Sequence, residues 1–589
     1  MRTRNPLDNA LKPAWLRSPV RRSGWFAAVM VCVLGLPRVA AVAADEPSRA
    51  SEAAGSPTAT PGQMDSQRII VHRNGATGDV VAVTLGLPLP PGALADPGRL
   101  SLRDADGEEI PAHAEPVLLW HSVDRSIRAL RVQFRLKMGS GPTSVRFRLD
   151  EPRARSIEPW PYADGLVDGE HHLRVPGALA TLSPAWMTAS LMAGPQVPFD
   201  PDGNAYDRYL ARQLDWALAL PTADPHAWLF DRTSTLFKLY VRSGEVDHLR
   251  AAVSSYRFYM SRLIRSGAAT GATCIGGWAF DAVNSCDVKY VYIEPILLAL
   301  GLTGDGSLHD DTLVKHMVML WDSGGWSGIP AGPYTRIDQV FTERHIGLGL
   351  LETTKAWELT GNDGYRRRLD QRVGWLFDHQ RKNPDGQPAD GAWRHSWQRH
   401  EGDEYDPDTD IRGASPWMSE NIVDGLWQTW LVTGDARIPG RLTAFGDYME
   451  RYGWIAPDTF IKAGESWRDD CSGEAGEIAW YWSSSLASLD TLIRTQGNDG
   501  MYSDAHTVEL ALPVAAALYF ETDSARRAVL SRRLQGITHA YADGCAGSSK
   551  PPRRFNWNNR GAGVVQWLVR QPASIGTGRV SPMVAPTAD

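Results

Sequence analysis

The feature that most constrains this chain is a helical run that keeps ending in the same way. Stretches of helical period stop at "LYVRSGE", "LGLTGD", "WELTGN", "WLVTGD" and "IRTQGND", which places glycines at Gly244, Gly304, Gly361, Gly434 and Gly497. Successive glycines lie 60, 57, 73 and 63 residues apart. A glycine just past a helix end supplies the left-handed residue that closes the last turn. A period near 60 residues holds a helical hairpin and a loop. A sixth run, "HTVELALPVAAALYFETD", ends near Asp523 without a glycine. Runs such as "VYIEPILLALGL" are apolar nearly all round, whereas the helix after each glycine, such as "GYRRRLDQRVGWLFDHQRK", is amphipathic. Buried helices alternating with water-facing ones predict a large all-α (α/α) toroid of five or six hairpins over 205–572. An open helical solenoid would carry the same repeat.

The chain has 589 residues, too many for one core. Over 67–155 the period is two: "RIIVHR", "DVVAVTLGL", "RLSLRDA", "IRALRVQFRLK" and "TSVRFRLD" are short runs split by Pro- and Gly-rich turns. They predict a small N-terminal β-sandwich or barrel, and so an α+β multidomain chain. Residues 156–204 are expected to connect the two regions and 573–589 to form a disordered tail.

Arg17, Arg21 and Arg22, the apolar "GWFAAVMVCVLGLP" and the following "AVAADEP" read as a cleaved signal peptide over 1–43. The apolar core is short for a membrane span. The Pro/Ser/Ala-rich 44–66 reads as a disordered linker. These features predict a periplasmic or secreted protein with no stable membrane span after cleavage. Removing Cys32 with the signal leaves Cys274, Cys286, Cys471 and Cys545. Two disulfides are expected, 274–286 and 471–545, the first stapling one loop. No CxxC or HExxH spacing occurs, so a structural zinc is not expected. The net charge of −7, without a long basic run, argues against nucleic acid as a partner.

If the glycines close one end of the buried helices, the opposite ends share a face, and loops entering them build one pocket. That face receives Asp231 and Arg232; Asp287, Lys289, Tyr290 and Tyr292; Glu343, Arg344 and His345; Trp417, Glu420 and Asn421; Glu474, Glu477, Trp480 and Trp482; and His506. Singly, Asp287 and Glu343 also suit helix capping. A long loop over 383–414 adds Trp393, Arg394, His395, Trp397, His400 and Tyr405, and a second over 551–563 adds Arg554, Trp557, Asn558 and Arg560. Loops that concentrate Trp, Arg and His favour function. The 23 tryptophans suit both helix packing and stacking on sugar rings.

"VAVTLGLPLPPGALADPGRLSLRDADGEEIPAHAEPVLLW" with "SIRALRVQF" resembles the N-terminal β-domain of exo-acting rhamnogalacturonan lyases, and "DVKYVYIEPILLALGLTGD" resembles a toroid helix of such proteins. The chain departs from that family in lacking a further β-sandwich and in its "WHSVDRSIR" turn. The resemblance implies a lyase that cleaves a uronic-acid polysaccharide by β-elimination, without cofactor or metal. Such chemistry needs a base for the C5 proton, an acid for the leaving oxygen and a neutraliser for the carboxylate. His345 is the expected base and His395 its alternative. Tyr334 or Tyr290 is the expected acid, and Arg344, Arg336 or Asn421 the neutraliser. The competing expectations are a glycoside hydrolase using Asp287 with Glu420, or Glu343 with Glu477, and a non-catalytic glycan-binding protein.

Overall fold

The computed structural model describes residues 67–228, 230–277, 284–307, 310–324, 329–455, 479–500, 508–543, 551–571 and 579–584. The expected signal peptide, linker and 471–545 disulfide lie outside these residues. Within them the chain is α+β, with antiparallel strands first and helices after.

The strands are β1 (Gln67–Arg73), β2 (Val80–Pro88), β3 (Ser101–Arg103), β4 (Glu109–Ile110), β5 (Ala112–Leu119), β6 (Ile127–Lys137), β7 (Thr143–Arg148), β8 (Leu166–Asp168), β9 (Arg174–Pro176) and β10 (Ala178–Thr181). One sheet has the order β10-β1-β7-β3-β4 and a second β2-β6-β5. Ile69 and Val71 of the first share a core with Val83, Leu85 and Phe134 of the second. Alternation in β2 puts Val81 and Val83 inside and leaves Ala82 and Thr84 half-buried, as period two demands. β10 pairs with β1 from Ile70–Thr181 to Arg73–Ala178. The sheet therefore draws a strand from the segment expected to be only a connector.

The helices are α1 (Pro184–Ala189), α2 (Ala205–Ala219), α3 (Arg232–Ser243), α4 (Val246–Arg262), α5 (Glu294–Thr303), α6 (Asp311–Ser323), α7 (Glu343–Thr360), α8 (Asp363–Arg381), α9 (Trp397–Glu401), α10 (Pro416–Thr433), α11 (Arg437–Tyr448), α12 (Leu489–Gly500), α13 (Ala511–Phe520), α14 (Ser524–Asp543), α15 (Pro551–Asn559) and α16 (Ala562–Arg570). Gly244, Gly304, Gly361 and Gly434 close α3, α5, α7 and α10 with φ of 71°, 72°, 65° and 63°. Each donates its N–H to a carbonyl four residues back, on Tyr240, Leu300, Trp357 and Trp430. Gly497 corrects the pattern, because it lies inside α12 and ends nothing. Glycine within a helix costs only about 1 kcal/mol relative to alanine, which tertiary context can override.

Every residue of α5 is buried, as are nearly all of α7 and α10. α5 lies against β2 so closely that a Cβ on Gly86 would collide with the Gly301 carbonyl. Here the sheet and the helix touch backbone to backbone, and this covers the outer face of the second half of β2. A disulfide joins Cys274 to Cys286, as expected. Within the segment expected to be a tail, 579–584 is instead packed down. Met583 is buried, its carbonyl accepts from Ser122 Oγ at 2.7 Å, and Ser581 Oγ donates to the Leu431 carbonyl. No helix among the described residues is long and apolar enough to cross a membrane.

Candidate functional site

The head of α7 carries three consecutive polar side chains that go three ways. Glu343, the first helical residue, is fully buried. Its Oε1 accepts from the Ser415 backbone N–H at 2.8 Å, closing the open end of α10, while the Ser419 hydroxyl lies 3.5 Å away. Its Oε2 faces His395 Nε2 at 3.5 Å and His400 Nδ1 at 3.7 Å. Those two nitrogens are 3.0 Å apart. Burial pushes the Glu343 carboxyl up to about 8. It also takes His400 down to about 3 and His395 well below its ordinary value.

The two histidines are aimed by the long loop. His395 opens the two-residue strand β13 (His395–Ser396), which pairs with β14 (Arg412–Gly413); two further short strands, β11 (Gly276–Gly277) and β12 (Asn284–Ser285), sit beside the disulfide. Ser396 caps α9 through the Arg399 N–H, which fixes where His400 falls. His395 Nδ1 is 3.0 Å from the Trp393 carbonyl. A carbonyl only accepts, so Nδ1 carries the hydrogen and Nε2 presents a lone pair to Glu343. The Trp482 ring walls both imidazoles, at 4.8 Å and 5.0 Å, and Phe341 stands 4.8 Å from His395.

His345 turns the other way. Its Nε2 lies 3.8 Å from Asp287 Oδ1 and its Nδ1 3.3 Å from Thr342 Oγ1. Burial lowers its pKa, with Asp287 pulling the opposite way. For Asp287 burial acts upward, yet the His345 ring and the Lys289 ammonium at 3.4 Å hold the carboxyl well below the usual carboxylate range. Between the two, Arg344 is half-buried and makes no hydrogen bond or ion pair among the described residues.

Behind these heads, α3, α5, α7 and α10 flank a small cavity of about 20 Å³ lined by Asp231, Lys238, Glu294, Glu352, Asp424 and Arg560, among others. Asp231 caps α3 at Ser234 N, and Glu352 accepts from the Ile293 and Glu294 N–H groups at the head of α5. Burial, then the Glu294 charge, raises Asp231 to about 7; burial, then Asp231, takes Glu352 well above its ordinary value. Glu294 instead meets Lys238 at 2.8 Å and Lys355 at 3.6 Å, and Lys355 continues to Glu358 and that to Arg128, each at 2.8 Å. Glu420 pairs with Arg560, whose guanidinium also reaches Asn421 Oδ1 at 3.1 Å; burial pushes the Glu420 carboxyl up against that pull.

The expected site residues therefore divide. Asp287, Lys289, Glu343, Arg344, His345, Glu420 and Asn421 sit at adjoining helix heads, and Arg560 joins them. Tyr290, beside Lys289, is fully buried. An aromatic series links the loops to the heads: Trp482 to Trp397 at 5.3 Å, Trp397 to Tyr481 at 6.0 Å, Tyr481 to Trp417 at 6.4 Å, Trp417 to Trp557 at 5.9 Å, and Trp557 to Phe230 at 5.2 Å. Trp480 is buried in the same cluster as Trp482. Others serve the fold. Tyr334 donates to the Ile337 carbonyl, Trp393 to Leu376, and Arg232 to Ala217. Arg394, fully buried, pairs with Asp385 and Asp390 and ties down its own loop. Arg336 is 72% exposed and pairs with Asp338. Glu474, Glu477, His506 and the Arg554 side chain lie outside the described residues.

Sequence reasoning passed over Lys238, Glu294, Glu352, Lys355 and Asp424. The one available signal was a charge set within runs otherwise apolar all round, such as the glutamate opening "EPILLALGLT". No family model, curated protein or solved structure matches the chain.

Proposed function

We propose that the chain is an exported carbohydrate-active enzyme, with its helical hairpins arranged as an (α/α) toroid, that cleaves a uronate-containing polysaccharide by β-elimination. The resemblance to exo-acting rhamnogalacturonan lyases motivates this reading. The observation that carries it is the trio Asp287, His345 and Arg344: an imidazole backed by a carboxylate, beside a guanidinium with no partner among the described residues. Arg344 neutralises the substrate carboxylate and so acidifies the C5 proton. Asp287 lies 3.8 Å from His345 Nε2, and Nδ1, which faces the Thr342 hydroxyl at 3.3 Å, is the nitrogen assigned to take that proton. Tyr334, which donates to the Ile337 carbonyl, and the buried Tyr290 are the two candidate leaving-group acids. Within the aromatic series the half-buried Trp397, Tyr481 and Trp557 offer sugar-stacking faces. The Cys274–Cys286 disulfide fits an oxidising compartment.

Incubation with a panel of acidic glycans, read by ultraviolet absorbance of the new double bond, tests the proposal. His345→Ala is expected to lower the rate by about 10²- to 10⁴-fold; full activity in that variant removes His345 as the base. Reducing ends released without absorbance would instead decide for a glycoside hydrolase.

A further inference from the structure

We propose that Glu343, His395 and His400 form a binding site for a zinc-type divalent cation. The inference does not depend on the lyase reading. Glu343 Oε2, His395 Nε2 and His400 Nδ1 are separated pairwise by 3.0, 3.5 and 3.7 Å. Zinc–nitrogen and zinc–oxygen bonds of about 2.0–2.2 Å in a tetrahedron place neighbouring donors about 3.4 Å apart. The three observed edges scatter around that length, so one ion reaches all three atoms with little side-chain movement.

The surroundings match a metal site beyond the three donors. A ligating histidine gives its other ring N–H to a carboxylate or carbonyl, which fixes tautomer and aim. His395 Nδ1 is 3.0 Å from the Trp393 carbonyl, and His400 Nε2 is 4.0 Å from Glu401 Oε1, which Tyr481 OH holds in turn at 3.2 Å. The Ser415 N–H fixes the other oxygen of Glu343. His395 and Glu343 are thus oriented from behind, Glu401 lies beyond hydrogen-bond reach of His400, and all three side chains are at most 3% exposed. Oε2 is fully buried and accepts no hydrogen bond among the described residues. With Nδ1 carrying the hydrogen, His395 Nε2 turns its lone pair toward Glu343 Oε2, so a cation between them is coordinated by both. Two histidines and a glutamate make a borderline set suited to zinc, and they leave a fourth position to water or a ligand oxygen.

The test uses untagged chain loaded with zinc chloride, desalted and analysed for metal, with cobalt(II) as a spectroscopic probe. One zinc per chain, a rise in Tm on loading, and visible ligand-field bands of four- or five-coordinate cobalt are expected. His400→Gln is expected to weaken zinc binding by at least about ten-fold while keeping the far-ultraviolet circular dichroism. Should His400→Gln fail to fold, the cobalt spectrum of the native chain decides alone. A native chain without stoichiometric zinc or cobalt bands overturns the proposal, as does a folded His400→Gln that binds zinc as tightly. Activity plays no part in these readouts, so a lyase without zinc, or a zinc protein without lyase activity, separates this inference from the proposed function.

Discussion

Two buried polar clusters on the same helix, α7, are built on opposite plans. Toward its glycine-closed end, Lys238, Glu294, Lys355, Glu358 and Arg128 alternate in sign along contacts of 2.8 to 3.6 Å. At its head, one carboxylate faces two imidazoles with no cation in contact among the described residues. The first cluster is complete: each carboxylate meets two cations, and removing Glu294 or Glu358 takes the carboxylate from Lys238 or Arg128. The second has the donors of a site and lacks its positive partner. A fully paired network of buried charge rigidifies a structure, whereas a partly satisfied one costs stability.

Replacing Lys355 by Met should break the contrast most severely. Glu294 and Glu358 would lose the buried cation they share while keeping Lys238 and Arg128, so the loss is expected at about 3 kcal/mol, the low end for a broken buried pair, in chemical denaturation. An effect below about 1 kcal/mol would mean that the alternating chain is incidental to stability.

Zinc should sharpen the same contrast from the other side. At a hundred-fold excess over Kd it adds about 2.7 kcal/mol to the native chain. His400→Gln should lose that gain, whereas a milder change in the balanced cluster, Lys355→Arg, should retain it. Equal zinc responses in native chain and His400→Gln would erase the distinction.

The cavity acids come next. Asp231, with Glu294, Glu352 and Lys238 around it, is raised from 3.8 to about 7. Its native form holds a proton that the unfolded chain releases, so its contribution is full below about pH 4 and fades as pH rises to about 7. Between pH 6 and 7 the slope is at most about 1.4 kcal/mol. Asp231→Asn keeps the helix cap and should flatten that part of the stability profile; an unchanged slope would place the titration elsewhere. The smallest effect belongs to Arg336→Ala at an exposed ion pair, within about 0.5 kcal/mol. It serves as the control that separates buried from solvated charge.

What the sequence made legible follows from what is local. A left-handed residue at a helix end has few chemical options, so four of the five glycine stops are visible in one dimension. Alternation in β2 was equally plain. Contacts between distant segments left no such trace. Glu343 meets His395 and His400 across a loop; the four residues between the histidines fall within the H-x3–5-H spacing of zinc ligands, but the third donor lies about 50 residues upstream and leaves no local sign. Lys355 and Glu358, one turn apart, look like an ordinary solvated pair; only the packing of α5 and β6 around them makes them part of the interior. Arg394 and Trp393 drew attention because their loop is rich in polar and aromatic groups, yet those groups hold the loop itself in place. Met583 had no periodic neighbours to announce its burial.

The seam at Gly86 and Gly301 bears on how such a protein can be rebuilt. Two main chains in direct apposition allow no padding between them. A strand region grafted from elsewhere would seat on these helices only if it brought an equally bare residue to that one spot. Engineers exchanging parts of this molecule should cut beyond the seam, moving β2 and α5 as a single cassette.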